Sequence, residues 1–149
     1  MDNKKELIVS AIENGTVIDH IPAEAIYRVA NILELNLHDD EVIIGTNLTS
    51  KKLGKKGIIK IKNKYFKQTE IDKIAVAAPS ATLIEIKDSQ KVVKRNVEIP
   101  DILQAIVKCI NPNCITNVED ISTKFTVIEK NPLIVRCHYC EKTQEPTIR

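Results

Sequence analysis

Short apolar runs alternate with polar turns along the chain, and two helical stripes interrupt them. Leu7–Ile12 is a β-type run, and Glu13, Asn14 and Gly15 follow as a turn signal. Thr16–His20 continues extended. Pro22 stands where a helix can begin, because its missing N–H costs nothing in a first turn. Ile26, Val29, Ala30 and Leu33 then fall at i, i+3, i+4 and i+7, one face of an amphipathic helix that ends over Asn36–Asp40. Glu41–Leu48 is a strand, Ser50–Lys56 a Lys/Gly loop, and Gly57–Asn63 an alternating strand. Ile59 and Ile61 face one side of that strand; Ile58, Lys60 and Lys62 face the other. Thr69 has the character of an N-cap, with Glu70 and Asp72 in a first turn that favours acids. Ile71, Ile74, Ala75 and Ala78 share the next helical face, which Pro79 stops. Ala81–Lys87 and Lys91–Arg95 are two further strands about a turn at Asp88 and Ser89.

The order β-α-β-β-α-β with one extra edge strand predicts a ferredoxin-like α+β domain, two helices on one face of an antiparallel sheet. Asn96–Asp101, with Pro100, is the expected linker, dividing the chain into residues 1–97 and 98–149. In the second part Ile102–Lys108, Phe125–Glu129 and Leu133–Arg136 are extended runs, giving a small β-rich, zinc-ribbon-like domain. So short a segment buries little core and calls for a staple.

All four cysteines lie there: Cys109 and Cys114, then Cys137 and Cys140, with 22 residues between the pairs. Two short turns that each offer two thiolates suit tetrahedral Zn2+. Two disulfides, a redox CxxC or buried free thiols are the alternatives. A CxxC redox pair explains only half of the pattern, and disulfides need an oxidising compartment. The spacing favours one structural Zn2+ per chain, with no coordination position left for catalysis. His138 lies inside the second turn, but it is a weaker ligand candidate than the four thiols.

Composition adds limits. The 149 residues are 43% hydrophobic and 28% charged, with no Trp. No stretch reaches the roughly 20 apolar residues of a membrane span. Leu7–Ile12 is too short for a secretory core. The expectation is a cytoplasmic, reduced protein. The net charge of +2 does not by itself imply a polyanionic partner. Residues 51–67 do concentrate eight lysines and no acid, which reads either as a solvated basic edge or as an anion site. Residues 101–149 balance six basic against six acidic side chains, so the cysteine domain is expected to meet protein instead of nucleic acid. Adjacent residues on a strand point to opposite faces, so Asp19 and His20 are not expected to form a catalytic pair, and Ser10 carries no sign of activation.

Gly15–Pro22 (GTVIDHIP), Cys109–Thr116 (CINPNCIT) and Cys137–Glu141 (CHYCE) together resemble the aspartate carbamoyltransferase regulatory chain, and Gly57–Asn63 and Ala78–Thr82 match it in kind and order. The resemblance spans nearly the whole chain. It implies a non-catalytic allosteric subunit of pyrimidine biosynthesis. Its first domain would bind the nucleotide effectors CTP and ATP, with UTP a further ligand. Its zinc domain would dock on the catalytic chain. Regulatory chains would form a homodimer through their nucleotide domains, in a dodecamer of six catalytic and six regulatory chains.

By position, the resemblance puts Val9, Ser10, Ala11 and Ile12 around the base, followed by Val17, Asp19 and His20, with Asp19 suited to ribose hydroxyls. Lys60 would meet base or ribose oxygens, and Lys94, with Arg95 beside it, the phosphates. Asn111, Asn113, Tyr139 and Glu141 would contact the partner. Ile84 stands where the family often has Asn, and Ser89 or Gln90 where it often has Tyr. These departures bear on which nucleotide is preferred. The rival reading is a zinc-ribbon nucleic-acid binder using Lys51–Lys67, with Tyr65 and Phe66 as stacking rings. The third is a redox enzyme using Cys137 and Cys140.

Overall fold

The computed structural model describes residues 12–147. The chain divides into two compact units, Met1–Val97 and Glu98–Arg149. In the first, strands β1 (Gly15–Pro22), β2 (Val42–Ser50), β3 (Gly54–Lys62), β4 (Thr82–Lys87) and β5 (Gln90–Asn96) form one antiparallel sheet in the order β2-β3-β1-β4-β5. Helices α1 (Ile26–Ile32) and α2 (Gln68–Ala77) are the crossovers and pack on each other. This is the ferredoxin-like arrangement with β5 added at the edge.

The alternation in β1 and β3 sorts the sheet into two faces. Ile18 lies opposite Ile59 and Leu83. All three are buried, as are Ile26 and Val29 of α1 and Ile71 and Ile74 of α2, forming the core between helices and sheet. The helix layer comes close at Gly57, where an added Cβ would stand 2.5 Å from the Ile26 Cδ1 atom. The absence of a side chain there is what lets α1 settle on β3.

The other face is also covered. Val17, Ile58, Ile84 and Ile86 cluster with Ile12, and Leu48 packs against them. The middle of β3 is therefore buried on both faces: Ile58 and Lys60 are buried along with Ile59 and Ile61.

Several boundaries differ from the sequence reading. A 3-10 turn, Ala23–Ala25, precedes α1. The expected Ser50–Lys56 loop shrinks to a turn, because β3 pairs with β2 as far back as Gly54 opposite Ser50. The N-cap of α2 is Lys67 instead of Thr69; the Glu70 carboxylate accepts the Lys67 N–H at 3.1 Å and closes the first turn. The extended run Leu7–Ile12 falls outside the described residues except for Ile12.

The second unit is a four-stranded antiparallel sheet, β6 (Ile102–Gln104), β7 (Lys124–Lys130), β8 (Leu133–Cys137) and β9 (Thr143–Gln144), in that order, with a single helical turn α3 (Ile115–Val118). Its core is Leu103, Val107, Phe125 and Val135, all essentially inaccessible. Among the described residues no helix is long and apolar enough to cross a membrane.

Candidate functional site

The cysteine cluster forms where two knuckles meet. The first, after β6, is closed by the Cys114 N–H on the Asn111 carbonyl. The Asn117 amide nitrogen donates to the carbonyls of Cys109 at 2.8 Å and Asn111 at 2.7 Å. The second follows β8, where the Glu141 N–H reaches the Cys137 carbonyl at 3.0 Å and Glu141 takes φ 65°. Gln144 ties β9 to the first knuckle: its Oε1 accepts from the Ile110 N–H at 3.0 Å and its Nε2 donates to the Lys108 carbonyl at 2.9 Å.

The four Sγ atoms lie within 4.8 Å of one another. Cys109 and Cys140 are 3.6 Å apart, Cys114 and Cys137 3.7 Å. A tetrahedron with metal–sulfur bonds of about 2.3 Å has edges of about 3.8 Å, so the donor set fits a thiolate-bound cation without rearrangement. These separations also exclude disulfides, whose sulfurs stand about 2.05 Å apart. The surroundings act unevenly on the four sulfurs. The Thr116 hydroxyl donates to Cys114 Sγ at 3.3 Å. Burial pushes the Cys109 thiol up to about 12. At Cys140 burial acts in the same sense, but the Lys142 N–H and the Asn111 side chain outweigh it and bring the thiol to about 7.

Around these knuckles Asn113, Tyr139 and Glu141 are exposed, while Asn111 is half-buried and uses its side-chain oxygen to cap the Asn113 N–H at 3.1 Å. Asn111 therefore shapes the turn whatever else it touches. Ile110, Ile115 and Val118 are exposed alongside them. The sequence reading did not single out these three, because exposure is not visible in a sequence.

The first unit carries a cavity of about 230 Å³ on the sheet face away from the helices. Its walls include Ile12, Val17, Asp19, Lys60, Ile84 and Lys91. Val9, Ser10 and Ala11 lie outside the described residues. Lys60 stands opposite Val17 and is 1% exposed. Among the described residues its Nζ has no hydrogen-bond partner. Burial brings its pKa down to about 8, with the Asp19 charge opposing.

Asp19 bonds the Lys56 ammonium at 2.8 Å and accepts the His20 N–H at 2.6 Å. Burial raises its pKa, but these partners outweigh it and hold the carboxyl below its ordinary value. His20 breaks the strand pattern. Its φ of 58° and the register shift between Ile18 and Ile21 bring its ring to 3.9 Å from Asp19 and 3.2 Å from the Thr82 hydroxyl. The expectation that Asp19 and His20 diverge is therefore corrected. A bulge overrides strict alternation.

The basic run Lys51–Lys67 does not form one exposed patch. Lys60 is buried, Lys56 is paired with Asp19, and Lys64 lies 5.5 Å from the Phe66 ring centroid. Phe66 is itself buried, and the Tyr65 hydroxyl donates to the Ile86 carbonyl at 2.7 Å. The pair of rings needed for base stacking is thus engaged in the fold.

Residues 7–98 match the allosteric domain of the aspartate carbamoyltransferase regulatory chain, and residues 101–148 match its metal-binding domain. The chain belongs to this family. An aspartate carbamoyltransferase regulatory chain of Bacteroides fragilis is 52% identical over 144 residues, covering 97% of this chain and 94% of the relative. One of Pyrococcus horikoshii is 51% identical over 142 residues, covering 94% and 93%. As an aspartate carbamoyltransferase regulatory chain, the protein is a regulatory and not a catalytic subunit, with an allosteric domain followed by a metal-binding domain. The cysteine cluster lies in the second and the cavity in the first.

Proposed function

We propose that the cavity of the first unit binds nucleotide effectors, CTP, ATP and UTP among them, and that the cysteine unit carries the response to a carbamoyltransferase catalytic chain. The observation that supports the reading best is Lys60. A buried ammonium without an acceptor among the described residues is costly, and a ligand oxygen entering the cavity relieves it. The aliphatic wall of Ile12, Val17, Ile84 and Ile86 suits a planar base. Asp19 suits ribose hydroxyls, and Lys94 and His20 the phosphates.

The ion proposed for the cluster is Zn2+, one per chain; all four positions are taken by thiolate, so its contribution is rigidity alone. The chain's own residues do the rest. The cysteines fix the two knuckles, and these present Asn113, Tyr139 and Glu141, with Ile110, Ile115 and Val118, as one docking surface.

Strand β2 supports a homodimer. It is a sheet edge of nine residues, Val42–Ser50, without a charge, and Ile44 on it is exposed. The opposite edge, β5, carries Lys91, Lys94 and Arg95, the kind of charge that protects an edge from pairing. Dimers joined through β2 and docked through their cysteine units would link catalytic trimers into the dodecamer.

An effector changes activity only by binding the low- and high-activity assemblies unequally, and coupling of about 1–3 kcal/mol is ordinary. The test is reconstitution with catalytic chains. Co-sedimentation as one assembly whose activity shifts with added nucleotide is the expected result. Failure to associate, or an associated complex indifferent to all nucleotides, would overturn the reading.

A further inference from the structure

Opposite charges bracket the uncharged strand β2. Asp39, Asp40 and Glu41 lead into it, Lys51 and Lys52 follow it, and all five are exposed. Among the described residues none of the five belongs to an ion pair. Asp40 accepts from the Asn63 amide at 2.7 Å and from the Glu41 N–H at 2.9 Å. Lys55, also exposed, completes the basic end. The hairpin tip there stands clear of its own unit: an added Cβ at Gly54 would meet nothing within 4 Å. Between the two charged ends lie the nine residues Val42–Ser50.

Such an edge is complementary to itself in one orientation. Two copies of β2 paired antiparallel about a two-fold axis, over their whole length, set Val42 of one opposite Ser50 of the other. Glu41 of each copy then faces Lys51 of the other, and Asp40 faces Lys52. A two-fold axis makes this contact twice. Parallel pairing sets acid beside acid and lysine beside lysine, and like charges directly opposite are destabilising. The bulge of β2, with Asn47 at φ 59° and a register shift between Gly45 and Leu48, falls at the middle of the strand. It lies beside the position of the axis, Thr46, and so bends both copies alike and leaves the charged ends to meet. The other edge, β5, carries three cations and no acid and has no such orientation.

We infer that β2 and its flanks form a self-complementary edge for a second copy of this chain, in which Asp39–Glu41 of each copy lie against Lys51 and Lys52 of the other and fix the antiparallel orientation. The inference rests on the homodimer reading above. It goes beyond that reading by naming the orientation and the residues that impose it. Exposed ion pairs hold little on their own. The uncharged strand supplies the contact, and the charges select the partner and its direction.

The test is sedimentation of the intact metal-loaded chain and of two charge-reversed variants. One carries Asp39→Lys with Glu41→Lys, the other Lys51→Glu with Lys52→Glu. All four positions are exposed, and one metal per chain checks that each variant is folded. Each variant alone is expected to dimerise about ten- to a hundredfold more weakly than the unaltered chain, from repulsion at both ends. An equimolar mixture is expected to recover the dimer as a heterodimer, because attraction returns at both ends. Added salt should weaken the unaltered dimer and strengthen self-association of each variant. Dimers indifferent to both reversals overturn the inference, and so does a mixture no more dimeric than its components. If those results come with a dimer that Ile44→Lys abolishes, β2 stays the interface and only the role of the charges falls. If the unaltered chain is itself monomeric at micromolar concentration, the homodimer reading falls and this inference with it.

Discussion

Lys94 lies directly opposite Ile84 in the β4–β5 pair, and its neighbour Arg95 lies opposite Leu83. Ile84 belongs to the cavity wall, whereas Leu83 is 1% exposed within the core under the helices. Directly opposed residues share a sheet face, so the two adjacent cations are sorted to opposite sides. Arg95 confirms its side by reaching Gln68 of α2 at 3.4 Å.

Lys94→Ala should therefore weaken nucleotide binding, by about three- to tenfold for one solvent-exposed phosphate contact. Arg95→Ala should leave it unchanged. Both variants should keep one metal per chain. Equal losses from both, measured by titration with CTP and UTP, would show that the phosphates do not distinguish the two faces.

Lys60 gives a pH signature. Its pKa of about 8 in the folded chain lies below the roughly 10.4 of an unfolded lysine. Between those values the unfolded chain holds more protons, so stability of the ligand-free protein rises as pH increases from about 8 to 10.4. The gain is complete above the unfolded value and is lost as pH falls through the folded one. Lys60→Met should abolish this rise in denaturation curves taken across that window and weaken nucleotide binding about tenfold or more. A variant whose curves track the unaltered protein would show that the amine is solvated in the free chain.

Much of this was legible in the sequence, for physical reasons. Alternation revealed β3, the turn at Asp88 and Ser89 set off β4 and β5, the i, i+3, i+4 stripes revealed α1 and α2, and the cysteine spacing revealed the knuckles. What stayed hidden depends on partners distant in sequence. The four residues of α3 and the two of β9 are too short to carry a period; β9 exists because Gln144 pairs with Val135. The bulge that turns His20 toward Thr82 leaves no mark, since histidine, though enriched at positive φ, is still far more often found at negative φ than at its 58° here. Lys91 was invisible as a cavity residue because it arrives there only through the register shift opposite Glu85 and Ile86.

The uncharged edge of β2 yields a third expectation. Ile44→Lys puts a charge on the pairing edge at a position 41% exposed in the single chain. It should shift the isolated regulatory chain from dimer to monomer in sedimentation, with metal content intact. Retention of the dimer at micromolar concentration would remove β2 as the interface.

The cysteine unit should depend on its metal far more than the first unit does. Its described core is small, built around Leu103, Val107, Phe125 and Val135. Thiolate-bound zinc contributes about 10–16 kcal/mol in small zinc peptides, more than the whole stability of an ordinary domain, about 5–15 kcal/mol, can spare. Cys114 is 2% exposed, with Thr116 and Cys137 against its sulfur. Cys114→Ser should therefore abolish one-to-one metal binding. Amide protection at Val107, Phe125 and Val135 should vanish, while protection at Ile18, Ile59 and Leu83, which belong to a separate core, persists. Because the knuckles form the proposed docking surface, the same variant should fail to join catalytic chains yet still bind nucleotide. Hydrogen exchange on the purified variant separates the outcomes: protection lost in both units would mean that the first cannot stand without the second, and protection kept in both would mean that the metal does not hold the second together.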